Sequence, residues 1–232
     1  VLDQLTAAIP ASQIGLILIG IAGIETAGRA DQVQKTITQR YHANTQVISD
    51  AKLALLNGLA GADGALVIAG TGSVVYGRQA GKFLRVGGWG YVLGDEGSAY
   101  DISKRALKLV LTQTDNGQTS QLTAPLLAQL KVTDVAAVVQ QSYAQDRQTH
   151  PQFAQLFAKP AEQHHSEAIT ALVTSAHALA QQVVTLYQRF AESRPQRVAL
   201  SGSVLKHNRL VRDTLTTTVH QSIPTIAFND IT

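Results

Sequence analysis

Residues 66–101 read LVIAGTGSVVYGRQAGKFLRVGGWGYVLGDEGSAYD, and this stretch decides the fold. Leu66 to Ala69 is an apolar run of strand length and partly β-branched character. It stops at Gly70-Thr71-Gly72-Ser73 and resumes as Val74-Val75-Tyr76, which predicts a strand, a tight polar turn and a second strand. Lys82 to Val86 is a third short strand. Five glycines then fall between positions 87 and 97, together with the only tryptophan and the acidic pair Asp95-Glu96. Such a stretch describes a loop whose backbone approaches a ligand closely, not a core.

Each half of the stretch has two readings. The Gly70–Ser73 turn is an ordinary hairpin turn, or a concavity in which backbone N–H groups and two hydroxyls converge on a phosphate oxygen. Asp95 to Ser98 is a helix start, with Ile102, Ala106 and Leu109 on the helix's inner face, or part of a binding loop. The glycine pair is followed by a strand and not a helix, which excludes a Rossmann fingerprint, and no G-x-x-x-x-G-K-[ST] is present.

The 232 residues are 45% apolar and 15% charged, a composition of α/β globular chains, and are enough for one large domain or two lobes. Absence of cysteine excludes a disulfide framework, a thiolate zinc site and an iron–sulfur cluster. No signal-peptide pattern and no membrane-spanning apolar run is apparent, so a cytoplasmic chain without a membrane partner is expected. The net charge of +3 is scattered and aromatics are few, so no nucleic-acid partner is expected.

Upstream, Ile14 to Ile19 reads as a strand followed by the turn Gly20–Gly23, and Arg29 to Arg40 as a helix with Val33 and Ile37 inward. Thr45 to Ser49 is a short strand that delivers Asp50 to the start of a helix over 51–59. Asp50 is then either a helix cap or a general base at the carboxyl end of a strand, where open α/β sheets bind ligands. Gly61 to Gly64 is a loop cluster at which residues 1–61 hand over to residues 62–232. Residues 113–194 read as helical, with Ile169, Leu172, Ala176, Leu179, Val183, Leu186 and Phe190 at a/d spacing. One long helix packed on a sheet or in a dimer interface accounts for that spacing. His164, His165 and Glu167 lack partner spacing for a metal site, and a solvated helix start describes them better. Arg197 to Leu200 is a strand, Ser201-Gly202-Ser203 a turn, and the following helix has Val204, Val211, Leu215 and Val219 on one face; Thr225 to Phe228 is the last strand.

IAGTGSVVYG followed by GGWGYVLGDEGSAYDI resembles the N-acetylglucosamine kinase and BadF/BadG-type members of the actin, sugar-kinase and Hsp70 superfamily, over most of the chain. The resemblance implies an α/β, two-lobed actin-like ATPase (ribonuclease H-like) fold, with mixed sheets flanked by helices and the hinge of its cleft near residue 62. It implies ATP-dependent phosphorylation of the 6-hydroxyl of an amino sugar, N-acetylglucosamine first, with glucosamine or an N-acetylmuramic-type sugar as alternatives. A non-catalytic sugar-binding member of the fold is a further alternative; the iron–sulfur ATPase activators of the wider family need cysteines that are absent.

By that resemblance Asp50, within Ser49-Asp50-Ala51, is the catalytic base. Gly70, Thr71, Gly72, Gly202 and Ser203 contact ATP, with LSGSVLKHN as the adenosine motif. Ser73, Gly88, Trp89, Gly90 and Asp95 contact the sugar. Mg2+ comes with ATP, no protein-held metal is implied, and a homodimer is. Val74 stands where some N-acetylglucosamine kinases carry a polar, sugar-contacting residue. An Asp-Gly-Gly-Gly-Thr-like loop and a Pro-x-x-Gly-Ala-like closing helix are not found, so both ends of the family fold are expected to be missing. The chain alone is then expected not to turn over, and to leave sheet edge near Ile14–Ile19 uncovered.

Overall fold

The computed structural model describes residues 2–144, 153–191 and 193–231, which form two compact units, Val1–Ala62 and Asp63–Thr232. In the first, β1 (Ile17–Ile21) pairs in parallel with β2 (Thr45–Ser49) in the register Ile17↔Thr45 to Ile21↔Ser49. Helices α1 (Leu2–Thr6), α2 (Ile24–Ala27), α3 (Ala30–Tyr41) and α4 (Asp50–Gly58) complete it. The expected strand over Ile14 to Ile19 therefore begins and ends later. Pairing starts where β2 supplies a partner, the Ile17 N–H donating to Asn44 O at 2.8 Å, and Leu16 is left exposed. Gly20 belongs to the strand and not to a turn. A Cβ there would lie 2.7 Å from Leu53 Cδ2 and 3.2 Å from Asp50 Cα, so the missing side chain lets α4 sit directly on β1.

The second unit is a five-stranded mixed sheet in the order β5-β4-β3-β6-β7. Its strands are β3 (Gly64–Ala69), β4 (Ser73–Gln79), β5 (Lys82–Val86), β6 (Arg197–Ser201) and β7 (Ala227–Asp230). The first three form an antiparallel meander; β6 and β7 continue the sheet in parallel with β3. Between β5 and β6 run α5 (Ala99–Asp115), α6 (Thr123–Leu130), α7 (Val135–Ala144), α8 (Phe153–Glu162) and α9 (Ser166–Gln188). After β6 come α10 (Ser203–His207) and α11 (Arg209–Ser222). Expected helix over 145–152 and at 192 lies outside the described residues.

The core joins Ala65, Val67 and Ala69 of β3 to α5, α9 and α11. Helix α9 is its axis. Leu172, Ala176, Leu179, Val183 and Leu186 are buried as the heptad spacing implied, and Ala168, Ala171, Ser175, Ala180 and Tyr187 add a second buried face. By length and apolar composition α9 could cross a membrane, contrary to the expectation that no run is long enough. Its buried faces pack inside this unit against α5, α8, α11 and the sheet. Gly77 of β4 leaves room for the end of α9 and the residues after it, since a Cβ there would lie 2.6 Å from Phe190 Cζ and 2.9 Å from Leu186 Cδ2. On α5 the inner face is Ile102, Ala106 and Val110; Leu109 is only partly buried. The single helix expected after Gly202 is broken at Asn208, whose side chain caps α11 by accepting from the Val211 N–H at 3.1 Å. The last strand starts at Ala227 rather than Thr225, where its register with Arg197 begins.

Candidate functional site

Parallel neighbours end at the same edge of a sheet, so β3 and β6 deliver their turns side by side. The Gly70 N–H donates to Gly72 O at 2.9 Å, closing the β3–β4 turn tightly. Among the described residues the N–H groups of Thr71 and Gly72 donate no hydrogen bond, which leaves two backbone donors on the turn. Gly202, at φ +98°, passes so close to β3 that a Cβ would overlap Ala69 O at 2.3 Å. A Cβ on Gly70 would lie 3.8 Å from Ser203 Oγ, so the two turns face each other. All five residues expected at the nucleotide are thereby brought together.

The glycine-rich loop is tied to the same turn by three contacts. The Ala99 N–H donates to Gly70 O at 2.8 Å. Ser73 Oγ donates to Glu96 O at 2.7 Å. The Asp95 carboxylate lies against Gly72, with Oδ2 2.8 Å from where a Cβ would be. Asp95 is 4% exposed and has φ +60°, a conformation Asp tolerates better than most residues. Gly88, at φ +68°, packs on Val74, whose Cγ2 would be 2.7 Å from a Cβ there. Val74 therefore supports the loop where a polar side chain was expected. Gly90 heads a turn, its carbonyl accepting from the Gly94 N–H at 2.7 Å. Trp89 is 68% exposed, and the Arg85 guanidinium sits 4.2 Å from its ring centroid.

One residue that holds this arrangement escaped the sequence reading. Asp101, 4% exposed, accepts through Oδ2 from the Gly97 N–H (3.0 Å), Arg105 Nε (2.9 Å) and Ser175 Oγ (2.7 Å). Ser98 caps α5 by accepting from the Asp101 N–H at 3.1 Å. The Ser-x-x-Asp spacing is a capping-box signature and was the available signal. Asp101→Ala strips the buried Gly97 N–H and Ser175 hydroxyl of their acceptor, so urea unfolding is expected to show a loss of about 2–3 kcal/mol. A loss of only a few tenths, as at ordinary surface sites, would contradict that role.

In the other unit, Asp50 is the first residue of α4, and its Oδ1 accepts from its neighbour Ala51 N at 2.9 Å. The cap itself is Ser49, whose hydroxyl accepts from the Lys52 N–H at 3.3 Å. Asp50 is exposed and is not the capping residue. His165 stands at the N-cap position of α9 without a side-chain capping hydrogen bond, and Glu167 accepts a hydrogen bond from Ser120 Oγ. Among the described residues no group of three or more His, Cys, Asp or Glu is placed to hold a metal.

A family model, the BadF/BadG/BcrA/BcrD ATPase family, matches residues 4–229. The chain belongs to this family, as the motif resemblance implied. An N-acetylmuramic acid/N-acetylglucosamine kinase of Clostridium acetobutylicum is 39% identical over 119 residues, which are 50% of this chain and 39% of that protein. An N-acetyl-D-glucosamine kinase of Dictyostelium discoideum is 28% identical over 221 residues, 91% of this chain and 69% of that protein. The crystal structure of a Chromobacterium violaceum protein, described provisionally as an N-acetylglucosamine kinase, matches with TM-score 0.68 at 24% identity. That match covers 97% of this chain and 75% of the other. The fold is thus that of the actin-like ATPase sugar kinases, the α/β class expected from sequence. The paired turns suit the phosphates and nucleoside of a nucleotide: two backbone donors on one, and on the other a glycine where a side chain would strike β3.

Proposed function

We propose that the protein is an ATP-dependent kinase acting on the 6-hydroxyl of an amino sugar, with N-acetylglucosamine as the preferred substrate. The observation that carries this reading is the fastening of the Gly88–Asp95 loop, through Ser73, Gly70 and Gly72, onto the turn that faces Gly202 and Ser203. A sugar-binding loop and a nucleotide-binding turn held in one rigid piece suit phosphoryl transfer, where most of the rate gain is positioning. Bound ATP supplies the phosphoryl group, and the Mg2+ accompanying it offsets phosphate charge.

The chain's own residues then take these roles. The N–H groups of Thr71 and Gly72 hold phosphate oxygens, with Gly70 closing the turn. Gly202 and Ser203 form the nucleoside turn. Gly88 and Gly90 let the loop backbone approach the sugar, Asp95 accepts hydrogen bonds from its hydroxyls, and Trp89 offers the ring face that Arg85 leaves open. Ser73 positions this loop, since its hydroxyl donates to Glu96 O. Asp50 accepts the proton of the attacking hydroxyl; support comes from its release from capping duty by Ser49.

Both curated relatives bear names of kinases for N-acetylated amino sugars, one of them N-acetylmuramic acid as well. A homodimer, implied by the family resemblance, belongs to the same reading. Placement in the cytoplasm also belongs to it. A coupled assay of a protein carrying both ends of the family fold, with ATP, Mg2+ and a panel of N-acetylglucosamine, N-acetylmuramic acid, glucosamine and glucose, tests it. The expected order of kcat/KM places N-acetylglucosamine first; equal rates with and without sugar would overturn the kinase reading.

A further inference from the structure

We propose that the cavity between the 92–96 loop and the α5 face bearing Lys104, Arg105 and Lys108 is a binding site for a phosphate group. The cavity holds about 270 Å3, below the range of drug-sized ligand pockets and enough for a small phosphorylated molecule. Val92, Leu93 and Gly94 wall one side, and the three cations stand on the other. Two acids border it: Asp101 is paired with a cation, and Glu96 is hydrogen-bonded to a neutral amide and keeps its charge. Asp101 accepts from Gly97, Arg105 and Ser175, and Glu96 accepts from Gln182 Nε2 at 2.7 Å. Arg105 uses only Nε on Asp101. Among the described residues Lys104 and Lys108 have no carboxylate partner, although they stand one helical turn apart. Like charges at that spacing repel and destabilise a helix. With Asp101 set against Arg105 and Glu96 against one of the lysines, the lining keeps a net charge of +1, and a phosphate monoester, at about −1.5 to −2 charge, takes hydrogen bonds from both ammonium groups.

The site is separate from the nucleotide turns: no residue of 70–73 or 201–203 lines it. Gly94 and Glu96 do line it, while Asp95 between them turns against Gly72. An occupant therefore bears on the loop that carries Asp95, and by the kinase reading it would alter sugar affinity. The phosphate site itself does not depend on that reading.

Lysine acetylation of the protein, mapped by mass spectrometry, tests it with two probes, inorganic phosphate and N-acetylglucosamine 6-phosphate. At least one probe is expected to slow labelling of Lys104 and Lys108 several-fold, with Lys82 and Lys131 unchanged. Protection by inorganic phosphate alone identifies the free ion, by the sugar phosphate alone a phosphorylated sugar, and by both a general phosphate subsite. Substituting Lys104→Gln and Lys108→Gln together should weaken calorimetric affinity for the protecting probe about tenfold or more while leaving the melting temperature the same or higher. Labelling unchanged by either probe, or affinity unchanged in the double variant, overturns the proposal, whether or not the enzyme phosphorylates a sugar.

Discussion

In a protein carrying both ends of the family fold, Asp50→Asn is expected to lower kcat for sugar phosphorylation by about 10²–10⁴-fold, the usual worth of a positioned general base, with sugar KM within a few-fold of wild type. The side chain keeps its shape, so the Ala51 N–H retains an acceptor and the Ser49 cap on α4 is untouched. Stability should accordingly stay within about 0.5 kcal/mol, as for surface substitutions. That separates the two roles open to Asp50. If the residue served only the helix, kcat would hold and any cost would appear in the unfolding transition. Steady-state kinetics and denaturation of the same preparation decide between them.

Asp95→Asn is the second large effect. Asn accepts φ +60° as Asp does, whereas Ala at this position would add backbone strain of about 1–2 kcal/mol and confuse the outcome. Hydrogen bonds to a charged group contribute about 1.5–3 kcal/mol, so removing the charge should raise sugar KM about 10- to 100-fold. ATP affinity measured without sugar should change little. A fall in melting temperature with KM unmoved would instead make Asp95 a brace between its loop and Gly72.

Much of this site was legible in residues 66–101, because its parts are local. A hairpin turn, three short strands, a glycine-rich loop and a capped helix each announce themselves within a few residues. Contacts across long separations did not. Asp101 meets Ser175 at a sequence distance of 74, and nothing in either segment alone points to the other. Gly88 likewise seats on Val74, a packing contact that neither segment announces alone. The limits of β1 were misjudged because Ile14 and Leu16 are as apolar as Ile17 to Ile19, and only the start of β2 decides which of them pair. The break at Asn208 was hidden because Val204, Val211, Leu215 and Val219 keep one helical phase across it, although an Asn before an apolar-periodic run is a capping signal.

The most direct test of the sugar kinase reading is 31P NMR of a protein carrying both ends of the family fold, incubated with ATP, Mg2+ and N-acetylglucosamine. The roles assigned here predict sugar-dependent conversion of ATP to ADP, with the new phosphate resonance coupled to the two C6 protons of the sugar. ATP turnover that is indifferent to sugar, or a phosphate attached at another carbon, would contradict it.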